Sequence, residues 1–243
     1  MTRRDRPYQP LLLRILHNLS AAIAILAIIT SFLVYNTYDG RLVKLPLPKI
    51  NDIIGLHGTF GLTFLLLFPA LAIYSFHWGQ KRLVQADSFS KLGQVGKPIW
   101  WYSLHRIVNT IMLIAATWAL ITGRQMKEEW LPAGEINHSW YYLHLSAWVI
   151  LVICLAIHLL MIIKVGGTPL ILSMFEWQYV PEDSPLLWRA KFVLFLIAKD
   201  KKIDEIKKYY SCNCRNFSDW RNTFCVYFSI VFPIRRKQYS IFK

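Results

Sequence analysis

Histidines embedded in apolar sequence are the residues of this chain with the clearest capacity for chemistry. The stretch Trp140 to Lys164, WYYLHLSAWVILVICLAIHLLMIIK, has an interior free of acidic and basic residues except His144 and His158. Their separation corresponds to about 21 Å of helical rise and a net rotation of about 40°, so both imidazoles look out of one face, one near each end of a membrane span. Between them that face carries Ala147, Leu151 and Cys154, and its small members leave room for a flat, bulky group. The spacing suits two stacked haems. A histidine in a membrane helix can equally serve to hydrogen-bond a neighbouring helix, and that reading stands for either residue taken alone. Ionisable groups in lipid are costly and mark functional sites by default. Two on one face therefore call for partners.

The elements that must position them are membrane helices. The chain has 243 residues, 55% of them hydrophobic, and the apolar residues come in blocks rather than in an amphipathic rhythm. Four blocks reach spanning length: about Leu12 to Tyr35, Ile53 to Phe76, Tyr102 to Gly123 and Tyr141 to Ile163. The expected fold is all-α, an integral membrane four-helix bundle. The basic start MTRRDRPYQPLLLRILHNLS is like that of a signal peptide, but the apolar run after it is too long and shows no small-residue cleavage site, so it reads as a retained first helix.

The net charge of +14 would suit a nucleic-acid binder, yet its distribution describes membrane orientation. Arg3, Arg4, Arg6 and Arg14 flank the first helix, Lys81, Arg82, Lys91 and Lys97 lie between the second and third, and the tail after the fourth is strongly basic. The opposite loops are nearly balanced, with Arg41, Lys44 and Lys49 against Asp39 and Asp52, and Arg124 and Lys127 against Glu128, Glu129 and Glu135. Excess Lys and Arg marks the cytoplasmic side. Both termini are expected there, with membrane lipid and no nucleic acid as partner.

Further groups fall into place along the chain. His17 lies at the inner end of the first helix, with Ala21 and Ala24 clearing its face. His57 lies one turn into the second, where Gly55, Gly58 and Gly61 either allow close helix packing or clear space for a porphyrin. His77 reads as interfacial and His138 as solvated. At the inner end of the third helix, His105, Arg106 and Asn109 form a polar patch, readable as a quinone-headgroup or haem-propionate site, or as a snorkelling arginine beside a histidine bonded between helices. Cys212, Cys214 and Cys225 make an incomplete zinc set in a compartment that disfavours disulfides.

Two domains are expected: residues 1–167 as the transmembrane unit and 168–243 as a cytoplasmic and interfacial tail. After a Gly- and Pro-broken connector, LLWRAKFVLFLIAKDKK reads as a helix lying at the inner interface, and TFCVYFSIVFPI as a further interfacial attachment. The chain offers no repeat, nucleotide-binding glycine motif or paired carboxylates, and so no catalytic residue.

Alternating helices give the pairs. His17 and His158 share the inner level, and His57 and His144 the outer one. Each pair can supply two axial imidazoles to a haem iron, leaving a six-coordinate metal suited to electron transfer, with the irons about 20 Å apart along the fourth helix. His77 or His105 is the rival for the inner position.

One histidine in helix one, one early in helix two and two in helix four, His17, His57, His144 and His158, resemble the pattern of four-helix dihaem cytochromes. These form the b561-like group that includes the cytochrome b subunits of membrane nickel-iron hydrogenases and formate dehydrogenases. The resemblance covers about Pro10 to Gly167; a fainter one, on KPIWWYSLHRIVNT, is to the cytochrome b/b6-type proteins of photosynthetic bacteria. It implies two non-covalent b-type haems and electron exchange with a quinone pool, in a bacterial inner or thylakoid membrane. On this reading Gly58, Gly61, Ala21, Ala147 and Arg106 contact cofactor, and His105 with Asn109 forms the quinone site. Primary redox chemistry would belong to a partner subunit, since no flavin, iron-sulfur or nickel motif is present. The alternatives are a stand-alone oxidoreductase such as a superoxide:quinone oxidoreductase, disfavoured by nearly neutral outer loops, and a haem-free scaffold.

Overall fold

The computed structural model describes residues 7–188. Four long helices dominate: α1 (Leu11–Tyr38), α2 (Ile53–His77), α4 (Pro98–Gln125) and α5 (Ser139–Val165), joined by the single-turn α3 (Ser88–Lys91) and followed by α6 (Gly167–Met174). All four are long and apolar enough to cross a membrane, and each contains the corresponding sequence block. No strand occurs among the described residues. An α-helix satisfies its own backbone, which is why such runs take this form in lipid. The LLWRAKFVLFLIAKDKK segment after its first three residues, the TFCVYFSIVFPI segment and Cys212, Cys214 and Cys225 lie outside the described residues.

The helices pair as two hairpins, α1 on α2 and α4 on α5, with far fewer contacts between the hairpins. Leucines and isoleucines such as Leu66, Ile114, Ile153 and Ile163 point outward, as expected of surface meeting lipid tails. A central cluster of Phe64, Phe68 and Ala116 separates the two ends. One end carries the start of α1, the loop 78–97 and the end of α5, and is the basic end; the other is nearly neutral.

At the basic end, the segment after α5 is less irregular than its glycines and prolines suggest. α6 forms within it, Pro169 falling in the first turn, where a missing N–H costs no intrahelical bond. The chain then returns to α1. Arg14, 3% exposed, donates to the carbonyls of Glu176 and Gln178, and the Leu11 backbone N–H donates to Asp183 at 2.5 Å. Carbonyls receive protons from both Nη atoms of this buried guanidinium, which offsets its burial, while Nε has no partner among the described residues.

At the neutral end, Asp39 ties the loop after α1 to α5. Its carboxylate accepts from Arg41 Nε at 2.5 Å and from the Tyr141 hydroxyl at 2.5 Å, while Arg41 Nη1 donates to the Tyr142 hydroxyl at 3.1 Å. Burial pushes the Asp39 carboxyl up, but the hydrogen bonds from Arg41 and Tyr141 outweigh it and hold its pKa below the ordinary carboxylate value. A carboxyl whose folded pKa is depressed contributes stability above its unfolded pKa and loses it as pH falls through the folded one. Thermal unfolding of the detergent-solubilised chain should therefore show an acid limb below about pH 4, and Asp39→Asn should flatten that limb while lowering the midpoint at neutral pH.

Candidate haem centre

Five histidines from the four long helices line one cavity of about 1420 Å³ between the hairpins, larger than the roughly 300–1,000 Å³ of a pocket for a single drug-sized ligand. The walls are mostly apolar. Gly58, Gly61 and Ala21 line it, and a methyl group added at either glycine would meet nothing within 4 Å, so these positions border open space and are not close helix contacts. Ala147 is fully buried and is not part of the lining. Arg106 turns away, donating from Nε to the Lys81 carbonyl at 2.9 Å and lying over the Tyr102 ring at 4.3 Å.

The histidines meet in pairs. The His17 and His158 ring centroids are 6.3 Å apart at the basic end, and those of His57 and His144 are 6.1 Å apart at the neutral end. An imidazole–metal–imidazole sandwich with bonds of about 2.0–2.1 Å sets ring centroids roughly 6 Å apart. Both pairs have that spacing. His105 comes closer to His158, at 5.2 Å, and its Nε2 is buried without a hydrogen-bond partner. His77 packs edge-on against Trp78, and His138 stacks on Trp130; neither lines the cavity.

Hydrogen bonds fix which nitrogen of each ring faces inward. The Asn109 amide donates through Nδ2 to the Arg82 carbonyl at 3.1 Å, which turns its Oδ1 toward His158 Nδ1 at 2.9 Å. Asn18 is oriented likewise, donating to the Met174 carbonyl at 2.8 Å with Oδ1 3.3 Å from His17 Nδ1. At the neutral end, Thr30 Oγ1 lies 3.1 Å from His57 Nδ1, and Thr122 Oγ1 lies 3.1 Å from His144 Nδ1. In all four rings Nδ1 faces an oxygen able to accept a hydrogen bond, so a proton on Nδ1 would be satisfied there. Nε2 then keeps its lone pair, the arrangement usual for metal-ligating histidines.

No group of three or more His, Cys, Asp or Glu side chains that could hold a metal ion occurs among the described residues. A facing pair of imidazoles at each end, with His105 beside the basic-end pair, is instead the donor set for a metal whose remaining ligands come from a macrocycle, and the apolar cavity fits such a group. Cationic side chains reach both mouths of the cavity, Arg82 at the basic end and Arg124 with Lys127 at the neutral end.

The second set of residues was hidden from sequence reasoning. Asn18, Thr30 and Thr122 carry no sequence signal that singles them out, and Asn109 reads there as part of a quinone-headgroup or haem-propionate patch. Gly123 was also missed: a Cβ there would stand 3.0 Å from His144 Cε1, so the α4 backbone must be bare for that ring to lie against it. Its signal is faint, a glycine beside a threonine at the end of an apolar run.

No curated protein and no solved structure matches the chain significantly. The family profile described as prokaryotic cytochrome b561 matches residues 8–177, a span that holds all four long helices and every histidine of the cavity. The chain accordingly belongs to the prokaryotic cytochrome b561 family, integral bacterial membrane proteins that transfer electrons across the membrane by b-type haem.

Proposed function

We propose that the chain conducts electrons between two b-type haems, one held by His17 and His158 and the other by His57 and His144, exchanging them with a quinone pool and a partner redox protein. The observation that carries this reading is the presence of two imidazole pairs with the separation of axial ligands and all four Nδ1 atoms engaged. When bound, b-type haem supplies a one-electron ferric/ferrous couple. The imidazoles of each pair would hold the iron from both sides, and the mostly apolar walls of the cavity would keep water away. Arg82 at one mouth and Arg124 and Lys127 at the other suit anionic propionates. The excess of Lys and Arg assigns the basic end to the cytoplasm, with the bundle in the bacterial cytoplasmic membrane.

The quinone headgroup is assigned to the basic end beside His105 and Asn109. Asn109 already spends its amide on His158 and Arg82, so His105 Nε2 is the group left to meet a quinone carbonyl. His105→Leu should weaken quinone-analogue inhibition at least tenfold with the haem spectrum unchanged. Undiminished inhibition would move the quinone elsewhere.

The whole reading is tested by a reduced-minus-oxidised spectrum of the purified chain with haem quantified. Two b-type haems per chain are expected, and the absence of a b-type band would leave a scaffold. His57→Ala and His144→Ala should each lose the same haem, and His17→Ala and His158→Ala the other. Loss of different haems within a pair would break the pairing.

A further inference from the structure

The neutral end of the bundle contains the same four-residue device twice. In α1 the residues Ala27-Ile28-Ile29-Thr30, and in α4 the residues Ala119-Leu120-Ile121-Thr122, each face a histidine on the following long helix of their own hairpin. Thr30 Oγ1 donates to the Leu26 carbonyl at 2.8 Å and is 3.1 Å from the Ala27 carbonyl. Thr122 Oγ1 donates to the Trp118 carbonyl at 2.8 Å and is 3.2 Å from the Ala119 carbonyl. Each hydroxyl then lies 3.1 Å from an imidazole Nδ1, of His57 and His144 respectively. An alanine carbonyl completes the site in α4: Ala119 O is 3.0 Å from His144 Nδ1.

Both threonines are buried, at 5% and 0% exposure. A helical threonine ordinarily bonds back to its own i−4 carbonyl and contributes nothing beyond its helix. Here that back-bond uses the hydroxyl proton, so only lone pairs face the histidine, and the ring can meet them only as an N–H donor. The alanine carbonyl makes the same demand. A small side chain at the first position lets the ring approach the backbone.

We propose that Thr30 and Thr122 are positioning residues, matched acceptor clamps that hold the neutral-end imidazoles in the Nδ1–H form and set the potential of the metal they bind. The proposal rests on the haem reading for its effect on potential, but its claim about tautomers does not. Donation of Nδ1–H to an acceptor raises ligand basicity, which favours the oxidised metal and lowers the potential. The basic end is built differently, since Asn18 and Asn109 draw their orientation from carbonyls outside the long helices, those of Met174 and Arg82.

The test is a potentiometric titration of the full-length chain in lipid nanodiscs, with the neutral-end wave assigned by its loss in His144→Ala. Thr30→Val with Thr122→Val should shift that wave to more positive potential and leave the other in place, and the two Thr→Ser changes should restore it. An unshifted wave with both haems bound, or serine variants shifted as far as valine variants, would overturn the proposal. If the valine double variant sheds the neutral-end haem, retention by the serine variants supports the clamp and loss from both overturns it. Should the unaltered chain hold no haem, the proposed function fails, and ¹⁵N-histidine NMR of the same samples decides the clamp alone. An Nδ1–H signal for His57 and His144 that the valine changes shift or abolish supports it, and a signal they leave unmoved, or an Nε2–H signal in the unaltered chain, overturns it.

Discussion

An imidazole taken out of water must have its N–H group matched by an acceptor, because lipid offers none. That requirement governs the interior of this bundle. The four paired histidines present Nδ1 to a threonine hydroxyl or an asparagine carbonyl, and each of those acceptors is itself oriented by a backbone carbonyl. The chain of constraint runs from backbone carbonyl to hydroxyl or amide, then to ring, and leaves Nε2 of each ring without a hydrogen bond among the described residues. A polar network in a low-dielectric interior specifies one geometry when every member is satisfied. Here the geometry it specifies contains gaps of metal size.

The same logic separates the two ends. Threonine clamps belong to the long helices and share their rigidity. The asparagines reach across to the loop at Arg82 and the end of α6 at Met174, so the basic-end rings take their orientation partly from segments at the membrane surface. Arg14 adds to this attachment by holding the chain at Glu176 and Gln178. Ring orientation at one end is thus intrinsic to the bundle, while at the other it is shared with segments outside the long helices.

Much of this was legible in sequence for a plain reason: a membrane span is written in composition, and helices of known rise fix the depth of each residue. His57 and His144 could be paired from depth and alternation, and His17 with His158 against the rivals His77 and His105; in the structure His17 and His158 meet, as do His57 and His144, and His105 also lies beside His158. What faces each ring sideways could not be read, since Thr30 and Thr122 look like any threonine bonding back along its helix. Ala147 shows the converse. It lies on the histidine face of α5 by periodicity, yet it is fully buried and is not part of the cavity lining. α6 was obscured because Gly167 and Pro169 signal a break, although both residues are tolerated in a helix's opening turn.

The division into two hairpins bears on how the molecule comes together. Each hairpin contributes one ring to each pair: His17 and His57 come from the first, His144 and His158 from the second. Neither half alone can therefore grip a metal from both sides, however well it has inserted. The first hairpin is complete before the ribosome reaches Ser139, so a cofactor held by both rings can be captured only once the fourth long helix has arrived. Capture would then act as a rivet across a joint that the protein itself fastens only lightly.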